Sequence, residues 1–158
     1  MGRLGEYLAG RGRADAGEPI TLRVTRRFNA GAERVFDAWL DPAHVGEWLF
    51  ATPGGKMTRV EIDARVGGRF VIIERRGDVD AYHQGEYLVI DRPRRLVFTF
   101  GDHFFSDPGH VQVEITPLPT GGCELTLTHE MPAKFAEYKN RTQEGWTLIL
   151  GGLERVVR

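Results

Sequence analysis

The sequence predicts an α+β domain: a curved antiparallel sheet of seven strands around a long C-terminal helix, with two short helices after the first strand. Three observations predict it. Between residues 58 and 129, six alternating apolar segments follow one another with only short turns between them, the pattern of an antiparallel meander. Ile20, Leu22 and Val24 alternate with Thr21, Arg23 and Thr25, which adds a half-buried strand ahead of them. Near the end, Trp146, Ile149, Leu150, Leu153, Val156 and Val157 fall on one helical face. A sheet with one apolar face must cover it, and this stripe is the longest available to do so.

The elements follow in order. After the first strand, Asn29-Ala30-Gly31 suits a helix start, and Val35, Phe36, Trp39 and Leu40 have helical spacing. Asp41-Pro42 then offers a cap and a first-turn proline, so a second short helix is expected to run to about Trp48. Thr52 to Lys56 reads as a Pro/Gly loop. The six following strands are expected near 58–64, 68–75, 81–90, 95–100, 110–117 and 122–129. The terminal helix is expected to begin at Ala133 or Phe135, after Pro132, with Tyr138 and Thr142 extending its stripe weakly. Gly145, Gly151 and Gly152 each cost about 1 kcal/mol relative to Ala inside a helix. Their presence suggests close packing against the helix backbone or space left beside it.

Residues 1–18 hold only Leu4, Tyr7 and Leu8 as sizeable apolar groups. They are expected to form a tail, with a short helix over Arg3–Ala9 as the alternative, ahead of one domain spanning 19–158. The net charge of −1 provides no global field for nucleic acid or an anionic membrane. Cys123 is the only cysteine, which excludes an internal disulfide and fits a reducing cytoplasm. No apolar run approaches the ~20 residues that span a bilayer.

Several segments, taken together and in order, resemble one known family. They are Arg34-Val-Phe-Asp-Ala-Trp39 with Asp41-Pro42 and Trp48, Val66-Gly-Gly-Arg-Phe70, and Gly85-Glu-Tyr-Leu-Val-Ile-Asp91 with Pro93. Arg95-Leu-Val-Phe-Thr-Phe100, Leu125-Thr-Leu-Thr-His129, and Gly145-Trp146 with Leu150 and Leu153 complete the set. The chain resembles the activator of heat-shock protein 90 ATPase-like branch of the SRPBCC (START/Bet v 1-like) superfamily over about residues 20–157. The resemblance implies the helix-grip fold. It leaves function open, because the superfamily includes lipid carriers, polyketide cyclases and aromatases, and co-chaperone domains.

A curved sheet gripping one helix tends to leave a pocket between them. Strand alternation and the helical stripe nominate Trp48, Phe70, Ile72, Tyr87, Phe98, Phe100, Trp146 and Leu150 as its apolar walls, or equally as ordinary core. Glu74 and His129 are the polar exceptions on apolar faces and the candidates for acid–base chemistry or for holding a ligand group. If Glu74 faces an apolar cavity, desolvation should raise its pKa; at a strand end it would simply meet water. Tyr82, His83 and His103 are further candidates near a mouth.

Ser106 is the only serine, so there is no Gly-x-Ser-x-Gly elbow. The chain also lacks a phosphate-binding glycine loop and a paired-histidine metal motif. No cofactor or metal is expected. The first functional expectation is binding of a small hydrophobic or aromatic molecule. The alternatives are a cyclase or aromatase-type enzyme acting on such a molecule, and a protein-interaction domain.

Overall fold

The computed structural model describes residues 18–101 and 109–158. Most of the expected tail, with its alternative helix over Arg3–Ala9, lies outside the described residues, as does His103. Seven strands form one antiparallel sheet: β1 (Ile20–Phe28), β2 (Lys56–Ile62), β3 (Arg69–Arg76), β4 (Val79–Asp91), β5 (Arg95–Phe100), β6 (Gly109–Pro117) and β7 (Cys123–Met131). Their order is β1-β7-β6-β5-β4-β3-β2, so β2 to β7 run as a meander and β1 closes onto β7. Helix α1 (Ala32–Ala38) follows β1, and helix α2 (Lys139–Val157) ends the chain. This is the helix-grip architecture. Among the described residues no helix is long and apolar enough to cross a membrane.

Each element follows from local chemistry. The β3–β4 connection is a two-residue hairpin, with Arg76 paired to Val79 and Gly77 at φ 63°, as tight hairpins demand. The expected second short helix is reduced to a 3₁₀ turn at Val45–Glu47. Asp41 starts it by accepting from the Ala43 N–H at 2.9 Å. Gly46 lies so close to Val60 and Met57 that this turn packs directly on β2. The terminal helix also differs in its first part. Ala133–Tyr138 is a 3₁₀ segment kinked at Phe135, and regular α-helix begins only at Lys139.

The core fills the space between the sheet's inner face and the two helices. Leu22, Val111, Val113, Leu125, Leu127, Leu96 and Phe98 meet Trp146, Leu150, Leu153 and Val157 there. Trp39 is at its centre, 4.8 Å from Trp48 in an edge contact and 6.4 Å from Trp146. Of the three helix glycines, only Gly152 is closely approached, with Trp48 Cβ 3.3 Å from where its own Cβ would be. Gly145 and Gly151 have open space where a Cβ would stand, so neither fits a close neighbour, and neither lines the two cavities described below.

Candidate functional site

The register of the sheet sets the floor of the site. Phe100 pairs with Gly109 at the end of β5 and β6, and His129 pairs with Val111 one row deeper. Beyond β7 the chain turns at Pro132 into the 3₁₀ segment, which carries Phe135 and Tyr138 across the end of the sheet. The first turn of α2 adds Arg141 and Thr142. Among the described residues these elements line a cavity of about 370 Å³ that is open to solvent on one side. Phe100, Met131, Pro132 and Phe135 supply its apolar walls, Gly101 and Gly109 its backbone edges, and His129, Tyr138, Arg141 and Thr142 its polar groups. Tyr138 and Arg141 are exposed, so they mark the mouth.

His129 is buried, with 3% of its surface exposed. Its Nδ1 accepts the indole N–H of Trp146 at 3.0 Å. A neutral imidazole accepting at Nδ1 carries its proton on Nε2. Nε2 lies against Gly109, where an added Cβ would stand 3.1 Å away. Burial, helped by His110, pushes the His129 pKa down to about 4. The ring is therefore neutral at pH 7, with its Nδ1 side toward the core tryptophan and its Nε2 side beside a cavity residue.

Glu74 is placed differently from the sequence expectation. It is 1% exposed and is not part of the cavity lining. Its carboxylate accepts from the Thr52 N–H at 2.8 Å, the Thr52 hydroxyl at 2.9 Å and the Arg76 guanidinium at 2.6 Å. Burial alone would raise its pKa, but the Thr52 N–H, Arg76 and the Thr52 hydroxyl together hold it below the usual range. The expected upward shift is thus reversed by three donors that the sequence did not reveal.

Those donors pin a strap that shapes the cavity wall. Phe50 has φ 61°, a conformation uncommon for a bulky residue, and Arg76 donates to its carbonyl at 3.2 Å. The Phe50 ring stacks on His83, with centroids 4.2 Å apart, and on Phe100 at 5.1 Å. Phe100 is itself a wall of the cavity. Glu74 therefore acts on the site at one remove, through Thr52 and Phe50.

The structure brings Phe100 and His129 to the cavity. Phe70, Ile72, Tyr87 and Phe98 instead surround a void of about 10 Å³, barely the room one water needs. Burial, with Asp63 nearby, pushes the Tyr87 phenol above its ordinary pKa. Trp48, Trp146 and Leu150 are core residues. Tyr82 and His83 lie on β4, paired with Ile73 and Ile72. Sequence reasoning missed Gly101, Gly109, Met131, Pro132, Phe135, Tyr138, Arg141 and Thr142. A signal for three of them existed, because Phe135, Tyr138 and Thr142 continue the Trp146 stripe at helical spacing. Among the described residues no group of three or more His, Cys, Asp or Glu side chains is placed to hold a metal ion.

Comparison with known proteins agrees with this architecture. A family model described as Activator of Hsp90 ATPase homolog 1-like protein matches residues 29–158. A crystal structure of protein CV1439 from Chromobacterium violaceum is 27% identical, with a TM-score of 0.77 over 88% of this chain and 98% of the other. A solution structure of an AHSA1-like protein from Aeromonas hydrophila is 25% identical, with a TM-score of 0.74 over 86% and 90%. A Staphylococcus aureus protein at 17% identity shares the fold, with a TM-score of 0.79 over 89% and 94%. A comparison with curated proteins found no significant match.

Proposed function

The chain belongs to the activator of Hsp90 ATPase homolog 1-like branch of the SRPBCC superfamily, and on that premise we propose that it binds a small hydrophobic or aromatic molecule between the end of the sheet and the start of α2. The observation that carries this reading is the cavity of about 370 Å³ with apolar walls and a few polar groups. Ligand pockets typically hold ~300–1,000 Å³ and have this mixed lining.

Binding is favoured over acid–base catalysis by the state of the two candidate groups. Glu74 is committed to Thr52 and Arg76, away from the cavity. His129, with a pKa of about 4, is a weak base at neutral pH. Binding is also favoured over a docking surface. Among the described residues the exposed large apolar side chains, Val66, Val79, Tyr138 and Leu148, lie on different elements, and such scattered residues are normal.

Titration with the neutral fluorophore N-phenyl-1-naphthylamine tests the reading. Saturable binding of one probe per chain is expected, and Thr142→Trp, which fills the cavity, should weaken it by about tenfold or more. Leu148→Trp, at an exposed position, should leave it unchanged. Absence of saturable binding, or equal loss in both variants, would remove the proposal.

A further inference from the structure

Resting on the reading of the cavity as a ligand site, we propose that its ligand is an aromatic molecule with an accepting oxygen at its buried end and an anionic group at its exposed end. The Nε2–H of His129 takes the first and Arg141 takes the second. Two independent features of the lining carry this.

The floor holds a fixed donor. His129 is buried and its Nδ1 is occupied by Trp146, which is in turn locked in the core. The ring cannot flip to present an acceptor without leaving the buried indole N–H unpaired. Among the described residues Trp146 is its one hydrogen-bond partner. A hydrocarbon filling the cavity would strip water from Nε2–H and give nothing back, which is the costly case for a buried polar group. A carbonyl or ether oxygen reaching the ring from the cavity satisfies it, His129 being itself part of the lining. Gly109 lets the backbone close up against the ring, since a Cβ there would stand 3.1 Å from Nε2 and 2.5 Å from the Glu130 carbonyl oxygen.

The mouth holds a cation. Arg141 lines the cavity from the first turn of α2, with its guanidinium 5.6 Å from the Tyr138 ring centroid. Among the described residues it makes no ion pair, which is also true of Arg23, Arg34, Arg69 and Arg95; what sets Arg141 apart is its place on the cavity lining. Planar guanidinium matches a carboxylate bidentately. Between floor and mouth the walls are Phe100, Met131, Pro132 and Phe135, which suit a flat ring system. An apolar cavity of about 150 Å³ takes one benzene, so this space suits two or three fused rings.

Two matched ligand pairs test both ends on the intact protein by calorimetry. The first is 2-acetylnaphthalene against 2-isopropylnaphthalene, which differ in the accepting oxygen. The ketone should bind about fivefold or more tighter despite its greater polarity. The second is 6-acetyl-2-naphthoate against its methyl ester, compared at low salt. The acid should bind several-fold tighter, and that advantage should vanish in Arg141→Gln and shrink as salt rises. Arg141 is exposed, so this variant leaves the core untouched. If all four compounds bind with indistinguishable affinity, the pocket is real and the proposed ligand class is wrong. If none binds, both the ligand class and the pocket reading fall.

Discussion

Trp146 donates its indole N–H to Nδ1 of His129 at 3.0 Å, joining the centre of the helix–sheet core to the floor of the cavity. Trp146 is 2% exposed and lies within 6.4 Å of Trp39 as well as beside Phe50 and Phe100. Trp146→Ala should therefore destabilise the fold by about 3–5 kcal/mol. Trp146→Phe keeps much of the volume but leaves the imidazole without its donor, and should cost about 2–3 kcal/mol. Chemical denaturation measures both.

The same pair sets a pH dependence. The His129 pKa, about 4 in the folded protein, lies below the unfolded value of about 6.5. The stability tied to its neutral ring is fully present above about pH 6.5 and is lost as the pH falls toward 4. The loss should be on the order of 3 kcal/mol. Melting curves of wild type and His129→Gln, which retains an acceptor for Trp146, should converge in relative stability as the pH drops through this window. Parallel curves from pH 7 to 4 would contradict the assignment.

Glu74 and Gly55 should behave as one unit. A methyl group on residue 55 would collide with the Glu74 carboxylate. Gly55→Ala should thus cost about 2 kcal/mol or more, because it displaces a buried carboxylate from its donors. Glu74→Ala should cost about 3 kcal/mol by unpairing Thr52 and Arg76. The double variant should cost clearly less than the sum, since removing Glu74 removes the collision. Additive losses would show that the two positions are independent.

Gly145 and Gly151 offer the opposite outcome. Both lie in α2 with open space where a side chain would be. Gly145→Ala and Gly151→Ala should each raise stability by up to about 1 kcal/mol. A lower melting temperature for either would mean that the position has a close neighbour.

The fold was legible in the sequence because its signals are local and repeated. Strand alternation from Ile20 to His129 and the Trp146–Val157 stripe determine the sheet and its covering helix almost on their own. Glu74 and His129 were legible as anomalies, polar groups on apolar faces. Their partners were not, since Thr52 is 22 residues from Glu74 and Trp146 is 17 residues from His129. The cavity's position was harder still. It depends on the kink at Phe135, which swings Tyr138, Arg141 and Thr142 over the end of the sheet. Apolar periodicity reports which residues are inside, but not whether they touch. Phe70, Ile72 and Phe98 are as apolar as Phe100, yet they pack closely on one another and on Tyr87.

The most direct test of the account is where a small aromatic molecule binds. Amide and side-chain NMR shifts of the labelled protein, titrated with 6-acetyl-2-naphthoate, locate it. Saturable changes should centre on Gly101, Gly109, His129, Met131, Tyr138 and Thr142, with Phe70, Ile72 and Leu96 undisturbed. Changes centred on Phe70, Ile72 and Leu96, or no saturable change at all, would contradict it.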